Sequence, residues 1–164
     1  MKNVIYFFIG LALIILQNSI LNFMSFFGVT FDFLLVYITI IAINVGNDRA
    51  GILGLVLGLI QDLTVGRVLG VNALFYLFLG YGLGSLKDLV FKDNIITPLS
   101  LGTVGAIIKS LFTYFVLGAF GRSVEVREVL MKMFVIIPLA NSFLTVVFYK
   151  KTKKYILKLE NMAR

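Results

Sequence analysis

Long apolar blocks, separated by short polar or glycine-bearing breaks, make up nearly the whole of this 164-residue chain. A helix needs about 20 mostly apolar residues to cross the roughly 30 Å hydrocarbon layer of a bilayer. The blocks predict six such helices, over about residues 4–21, 29–45, 50–65, 68–86, 95–120 and 129–149. The third is short and glycine-laden, consistent with a tilt, a bend or a re-entrant pairing with the fourth, and five spans is the alternative count. The fold class that follows is all-α: a polytopic integral membrane helical bundle over 1–149, continued by a basic cytoplasmic tail over 150–164.

Lysine and arginine in the short loops set the expected orientation. Ten cations fall on one side: Lys2, Arg49, Lys87, Lys92, Lys150, Lys151, Lys153, Lys154, Lys158 and Arg164. Three fall on the other, Arg67, Arg122 and Arg127, while Lys109 and Lys132 lie inside spans. Both termini are therefore expected in the cytoplasm, which an even number of spans requires. Lys2 ahead of an apolar run has the form of a signal peptide. No A-x-A-like cleavage site follows, because the chain continues Gln17-Asn18-Ser19 and turns apolar again, so the first span is expected to be retained. A folded soluble domain needs at least about 40–60 residues, more than the tail or the 121–128 loop provides. Function is expected to reside in the bundle, its loops or its partners.

Composition changes the picture mainly by exclusion. With 60% hydrophobic and 14% charged residues, and a mean hydropathy of +1.01, the chain is neither an ordinary soluble globule nor disordered. It has no Cys, His or Trp. That removes disulfides and the usual zinc and transition-metal ligands, so no metal and no cofactor is expected. A net charge of +7 would suggest nucleic acid in a soluble protein. Here the cations cluster at one end of an apolar chain, which points to anionic lipid and not to nucleic acid.

Small and polar residues inside the spans carry most of the remaining information. Ala50, Gly54, Gly58 and Asp62 follow one another at i+4 in the third span, and Asn72, Tyr76, Gly80 and Gly84 do so in the fourth. Residues at this spacing share a helix face, and small-xxx-small strips let membrane helices approach closely. Gly54, Gly58, Gly80 and Gly84 are therefore expected to pack the two helices together, placing Asp62 beside Asn72. Asp32, between Phe31 and Phe33, is placed to cap the second span. Asp62 is also five residues from Arg67, across the turn. Lys109 lies near the centre of the fifth span, where an unpaired charge costs about 2.5–3.5 kcal/mol. A partner is expected for it, with Asp32 and Asp62 nearest in depth. Intramembrane ionisable groups are functional positions by default, and Asp32, Asp62, Asn72 and Lys109 are accordingly candidate partner-binding or structural polar residues.

These groups do not assemble into a recognisable catalyst. Lys109 and Ser110 are adjacent, so on a helix they point about 100° apart, a poor geometry for a Ser–Lys dyad. The loops are too short for a sugar cleft around paired carboxylates, and no G-x-x-x-x-G-K-[ST] phosphate loop occurs. No enzyme is expected. Lys150, Lys151, Lys153 and Lys154 follow the last span directly. They fit a stop-transfer and topology signal, attraction to anionic headgroups at about 1 kcal/mol each, or an acidic cytoplasmic partner. Tyr155, Ile156, Leu157 and Leu159 can rest at the interface.

The stretch from Gly54 through Asp62 and Gly66 to Leu69-Gly70-Val71-Asn72-Ala73-Leu74 and Tyr81 resembles the rod-shape-determining MreD family. That family shows a glycine-spaced helix, an aspartate, a glycine-containing turn and L-G-x-N-A-L entering a second glycine-spaced helix. The likeness extends to chain length, span number and the Gln17-Asn18-Ser19 step, and departs where Phe31 replaces the usual proline before Asp32. It implies a non-enzymatic component of the bacterial cell-wall elongation complex in the cytoplasmic membrane. An MreC-like protein, MreB, RodA and a class B penicillin-binding transpeptidase would be its partners, and its role would be scaffolding or regulation of peptidoglycan synthesis. By motif, Asp32, Asp62 and Asn72 match the family's recurrent polar positions. MreD-like proteins are also similar in architecture to the substrate-binding subunits of energy-coupling-factor (ECF) vitamin transporters. The alternative expectation is therefore a small-molecule transporter subunit, for which Tyr76, Asn72, Lys109 and Tyr114 could supply polar and aromatic groups. A third class is a channel or proton carrier using Asp62 and Lys109.

Overall fold

A computed structural model describes residues 2–24, 31–65, 68–91, 94–119 and 135–161. Among the described residues there are six helices and no strand. They are α1 (Lys2–Met24), α2 (Phe33–Val45), α3 (Asn47–Thr64), α4 (Val71–Ser85), α5 (Ile96–Ala119) and α6 (Ile137–Asn161). Two of them, α1 and α5, contain apolar segments long enough to cross a membrane, while α2 and α4 are shorter apolar helices. At 1.5 Å per residue the 13 residues of α2 extend about 20 Å and the 15 of α4 about 22 Å, less than the roughly 30 Å hydrocarbon layer.

The core is organised around α2. Every residue from Leu34 to Asn44 is buried, and α2 packs on each of the other five helices. A helix that is apolar all round requires an apolar environment on every side, and here that environment is protein. Around it α1 packs on α3, α3 on α4, α4 loosely on α5, and α5 on α6. No close packing joins α6 back to α1 among the described residues, so the ring has a seam there.

Local chemistry fixes where the helices begin. The second apolar block was expected from residue 29, but α2 starts at Phe33 because the Asp32 side chain accepts the Leu35 N–H at 2.9 Å and caps it. A single residue, Gly46, joins α2 to α3 with φ +116°, a left-handed conformation that glycine adopts at little cost. The Lys87 ammonium donates to the Val45 carbonyl at 3.1 Å, tying the end of α4 to the end of α2. The fourth block was expected from residue 68, but α4 begins at Val71 after Gly70, whose φ is +91°. Residues 120–134, including the expected start of the sixth span, lie outside the described residues. α6 does not end at residue 149 but continues as helix through the basic stretch to Asn161.

The closest helix contact is α3 against α4, backbone to backbone. A Cβ added at Gly58 would lie 2.7 Å from the Asn72 carbonyl oxygen and the Ala73 Cα, and one at Gly80 would lie 2.5 Å from the Ala50 carbonyl oxygen. Gly54 meets the Tyr76 backbone and Gly84 the Asn47 backbone in the same way. These are the four glycines of the two i+4 strips. Lipid tails are as apolar as leucine, so close van der Waals contact of this kind is a main source of helix association in a bilayer. The α5–α6 pair uses the same means, with Gly102 facing Thr145 and a 2.7 Å hydrogen bond between the Thr103 and Ser142 hydroxyls.

Gly82 provides an internal control, because a Cβ there meets nothing within 4 Å. Gly80→Ala is expected to destabilise the fold by about 1–3 kcal/mol through overpacking, whereas Gly82→Ala should not. The midpoint of heat-induced aggregation in mild detergent measures both, and equal midpoints for the two variants would contradict this packing.

Candidate functional site

Five of the six helices converge on the N-terminal end of α2. The Asp32 carboxylate caps α2 with one oxygen, and both of its oxygens accept from the Tyr76 hydroxyl of α4, at 2.9 and 2.7 Å. The Lys109 ammonium of α5 forms a salt bridge with Asp32 and donates to the Tyr76 hydroxyl oxygen. It also stands over the Tyr76 ring at 4.5 Å and the Phe75 ring at 5.6 Å, where the ring quadrupoles attract a cation. The Asp32 N–H donates to Asn141 of α6 at 2.8 Å, and Asn141 in turn donates to the Ile137 carbonyl at 3.0 Å. From α1, the Gln17 side-chain oxygen accepts the Leu34 N–H at 3.3 Å. Tyr76 is wholly buried and Asn141 nearly so.

The electrostatic logic follows from the surroundings. An isolated ammonium in this position would lose its hydration with nothing in return. Here one carboxylate, one phenol oxygen and two aromatic faces replace the water. The carboxylate is itself satisfied by a backbone N–H and a hydroxyl, which is what makes a buried ion pair tolerable. Of the two acidic partners expected for Lys109, the fold supplies Asp32.

Asp62 is engaged elsewhere. One of its oxygens accepts the N–H groups of Gly70 at 3.0 Å and Ala73 at 3.1 Å. The other accepts the Asn72 N–H at 3.2 Å and the Asn72 side-chain amide at 2.8 Å. Gly70 has no side chain with which to cap α4. Asp62, projecting from the last turns of α3, therefore satisfies the free N–H groups of the next helix. This arrangement holds the α3–α4 turn and sets Asn72 against Asp62. Arg67 lies outside the described residues. No hydrogen bond joins Asp62 to Lys109 among the described residues, so the two charges form no direct relay.

The basic stretch is a helical surface. Lys150, Lys151 and Lys154 are exposed, Lys153 lies 5.9 Å from the Tyr149 ring centroid, and Tyr149 and Ile156 are buried on the opposite side. Beside the Asp32–Lys109 pair is a cavity of about 220 Å³, lined by Gln17, Asp32, Lys109, Ser110 and Asn141 among others. Lys109 is held by Asp32 and Tyr76, and no group of three or more potential metal ligands occurs among the described residues.

Two members of this cluster carried weak signals in the sequence. Tyr76 reads as one more aromatic in an apolar helix, marked only by its place in the i+4 strip. Asn141 was not singled out. Its signal is an amide inside the last apolar block, next to Ser142 and four residues before Thr145.

An all-helical bundle with two helices long and apolar enough to cross a membrane, in which charged side chains are matched to one another and to helix ends, belongs to the class of apolar helical membrane proteins. Within that class the chain belongs to the MreD family: the family model for rod shape-determining protein MreD matches residues 1–156. The family gives it a role in rod shape determination. No curated protein and no solved structure matches the chain.

Removing one partner of a fully buried ion pair costs about 3–5 kcal/mol, because the other charge is left uncompensated; the Asp32–Lys109 pair is part-buried, which places its cost toward or below the lower figure. Lys109→Met alone should therefore reduce folded protein sharply, and Asp32→Asn combined with Lys109→Met should recover a large part of the loss. Tyr76→Phe should cost less, about 1–3 kcal/mol for a lost hydrogen bond to a charged group. Thermal midpoints of the purified variants test this, and additive losses in the double variant would contradict the coupling.

Proposed function

We propose that this protein is a non-enzymatic, multi-pass component of the bacterial cytoplasmic membrane, with both termini in the cytoplasm. It acts in the cell-wall elongation complex by scaffolding or regulating peptidoglycan synthesis. Its partners on this reading are an MreC-like membrane protein, MreB, RodA and a class B penicillin-binding transpeptidase, with anionic lipid against the basic end of α6. The observation that carries the proposal is the match of the MreD family model to residues 1–156. Two further features support it. The charges of the Asp32–Lys109 cluster are engaged internally, and the lysines concentrate at one end of the chain.

A second reading, a small-molecule-binding subunit with the architecture of ECF substrate-binding proteins, draws on the polar cavity beside Lys109. Its volume of about 220 Å³ is below the roughly 300–1,000 Å³ of pockets that enclose drug-sized ligands. That disfavours a vitamin-sized ligand and leaves the first reading ahead.

Affinity purification from mild detergent, followed by identification of the associated proteins, separates the two. Recovery of an MreC-like protein is expected, whereas recovery of ATPase and coupling subunits would overturn the proposal. Asp62→Ala and Asn72→Ala are each expected to lower recovery of that partner and to change cell width. Normal recovery and normal width in both variants would show that the α3–α4 turn held by Asp62 is dispensable for the interaction.

A further inference from the structure

The seam between α1 and α6 is a groove with two chemically distinct ends. On α1, Ile9, Leu13 and Gln17 follow at i+4 and share one face; on α6, Asn141, Phe148 and Thr152 share another. At the C-terminal side these faces enclose an apolar trough of about 120 Å³ floored by Val36, Tyr37 and Ile40 of α2. At the start of α2 the same faces line the polar cavity of about 220 Å³. The groove thus follows α2 along its length, between two helices that do not close on each other among the described residues.

An inventory of donors and acceptors gives the chemistry of an occupant. The acceptors here are engaged: the Asp32 oxygens by Leu35, Tyr76 and Lys109, the Asn141 oxygen by the Asp32 N–H, and the Gln17 oxygen by the Leu34 N–H. Among the described residues donors remain: Gln17 has its amide NH₂, Lys109 a third N–H beyond those given to Asp32 and Tyr76, and Thr113 a hydroxyl that can donate or accept. The cavity is donor-rich and calls for an acceptor oxygen. Its position along α5 favours a protein side chain over a lipid headgroup as the source. Lys109 lies 13 residues after Ile96 and 10 before Ala119, about 20 and 15 Å from the two ends of α5. At that depth lipid offers only acyl chain, whereas a transmembrane helix brings side chains.

We propose that the α1–α6 seam is the docking groove for one transmembrane helix of a partner protein, which inserts a carboxamide or carboxyl side chain into the cavity beside Gln17 and Lys109. The proposal rests on the scaffolding reading above and specifies where on the bundle the partner is gripped. Interhelical hydrogen bonds of this kind favour helix association in a bilayer.

The test uses the full chain in growing cells, with photoreactive benzoylphenylalanine placed singly at Ile9, at Thr152, and at the exposed control positions Leu63 of α3 and Phe78 of α4. The expected result is an adduct from Ile9 and Thr152, at least about tenfold above the controls. Its cross-linked peptide should map to a transmembrane segment bearing Asn, Gln, Asp or Glu in the protein that co-purifies with the wild type. Gln17→Glu keeps the oxygen that accepts from Leu34 and removes the amide donors. It should lower the adduct about threefold or more when the adduct is normalised to the amount of folded protein. Adducts from Leu63 or Phe78 as strong as those from the seam overturn the proposal, as do seam adducts with lipid or with a second copy of this chain only. If the elongation partner co-purifies but cross-links through α3 or α4, the seam assignment falls and the functional reading stands. If the seam cross-links instead to a transmembrane segment of a protein outside wall elongation, the seam stands and the functional reading falls.

Discussion

An ammonium group lodged among helices in a hydrocarbon layer has to be matched by an anion held at the same depth. In this protein that requirement organises the fold. Lys109 of α5 is matched by Asp32, which also starts α2, and both are joined by the hydroxyl of Tyr76 from α4. Asn141 then fixes the backbone of Asp32 from α6, and Gln17 fixes Leu34 from α1. A single electrostatic obligation thereby recruits five helices to one point, and the position of α2 at the centre of the bundle follows from it.

Around that point the remaining association is steric. Glycines let α3 and α4 approach backbone to backbone, and Asp62 closes their turn by gathering the free N–H groups of α4. The two polar clusters therefore do different work. One ties together helices distant in sequence, and the other completes a hairpin. In both clusters the ionisable groups hold helices to one another or to a turn, in a chain whose family is concerned with rod shape determination.

The features legible in the sequence were those with short-range periodicity. Apolar blocks marked the helices, the i+4 spacing of Gly54, Gly58, Gly80 and Gly84 marked the α3–α4 contact, and Asp62 and Asn72 are separated by only ten positions. The Asp32–Lys109 pairing spans 77 positions and the Asp32–Asn141 contact spans 109. A local pattern can say that Lys109 needs an anion but cannot choose between Asp32 and Asp62, because the choice depends on which helix turns the carboxylate inward. Helix starts were misplaced for a related reason. Hydropathy continues through Phe31 and Leu69, while the caps at Asp32 and Gly70 are set by hydrogen bonding and backbone conformation.

The long separation between Asp32 and Lys109 has a consequence for biogenesis. During synthesis α2 is made well before α5, so the Asp32 carboxylate precedes its cation by 77 positions. α2 has no lipid-facing side in the finished bundle and is only about 20 Å long. It is the element least suited to wait alone. Synthesis of α5 is thus the step that supplies the missing cation, and a chain ending before that point would carry an unmatched carboxylate at the start of α2.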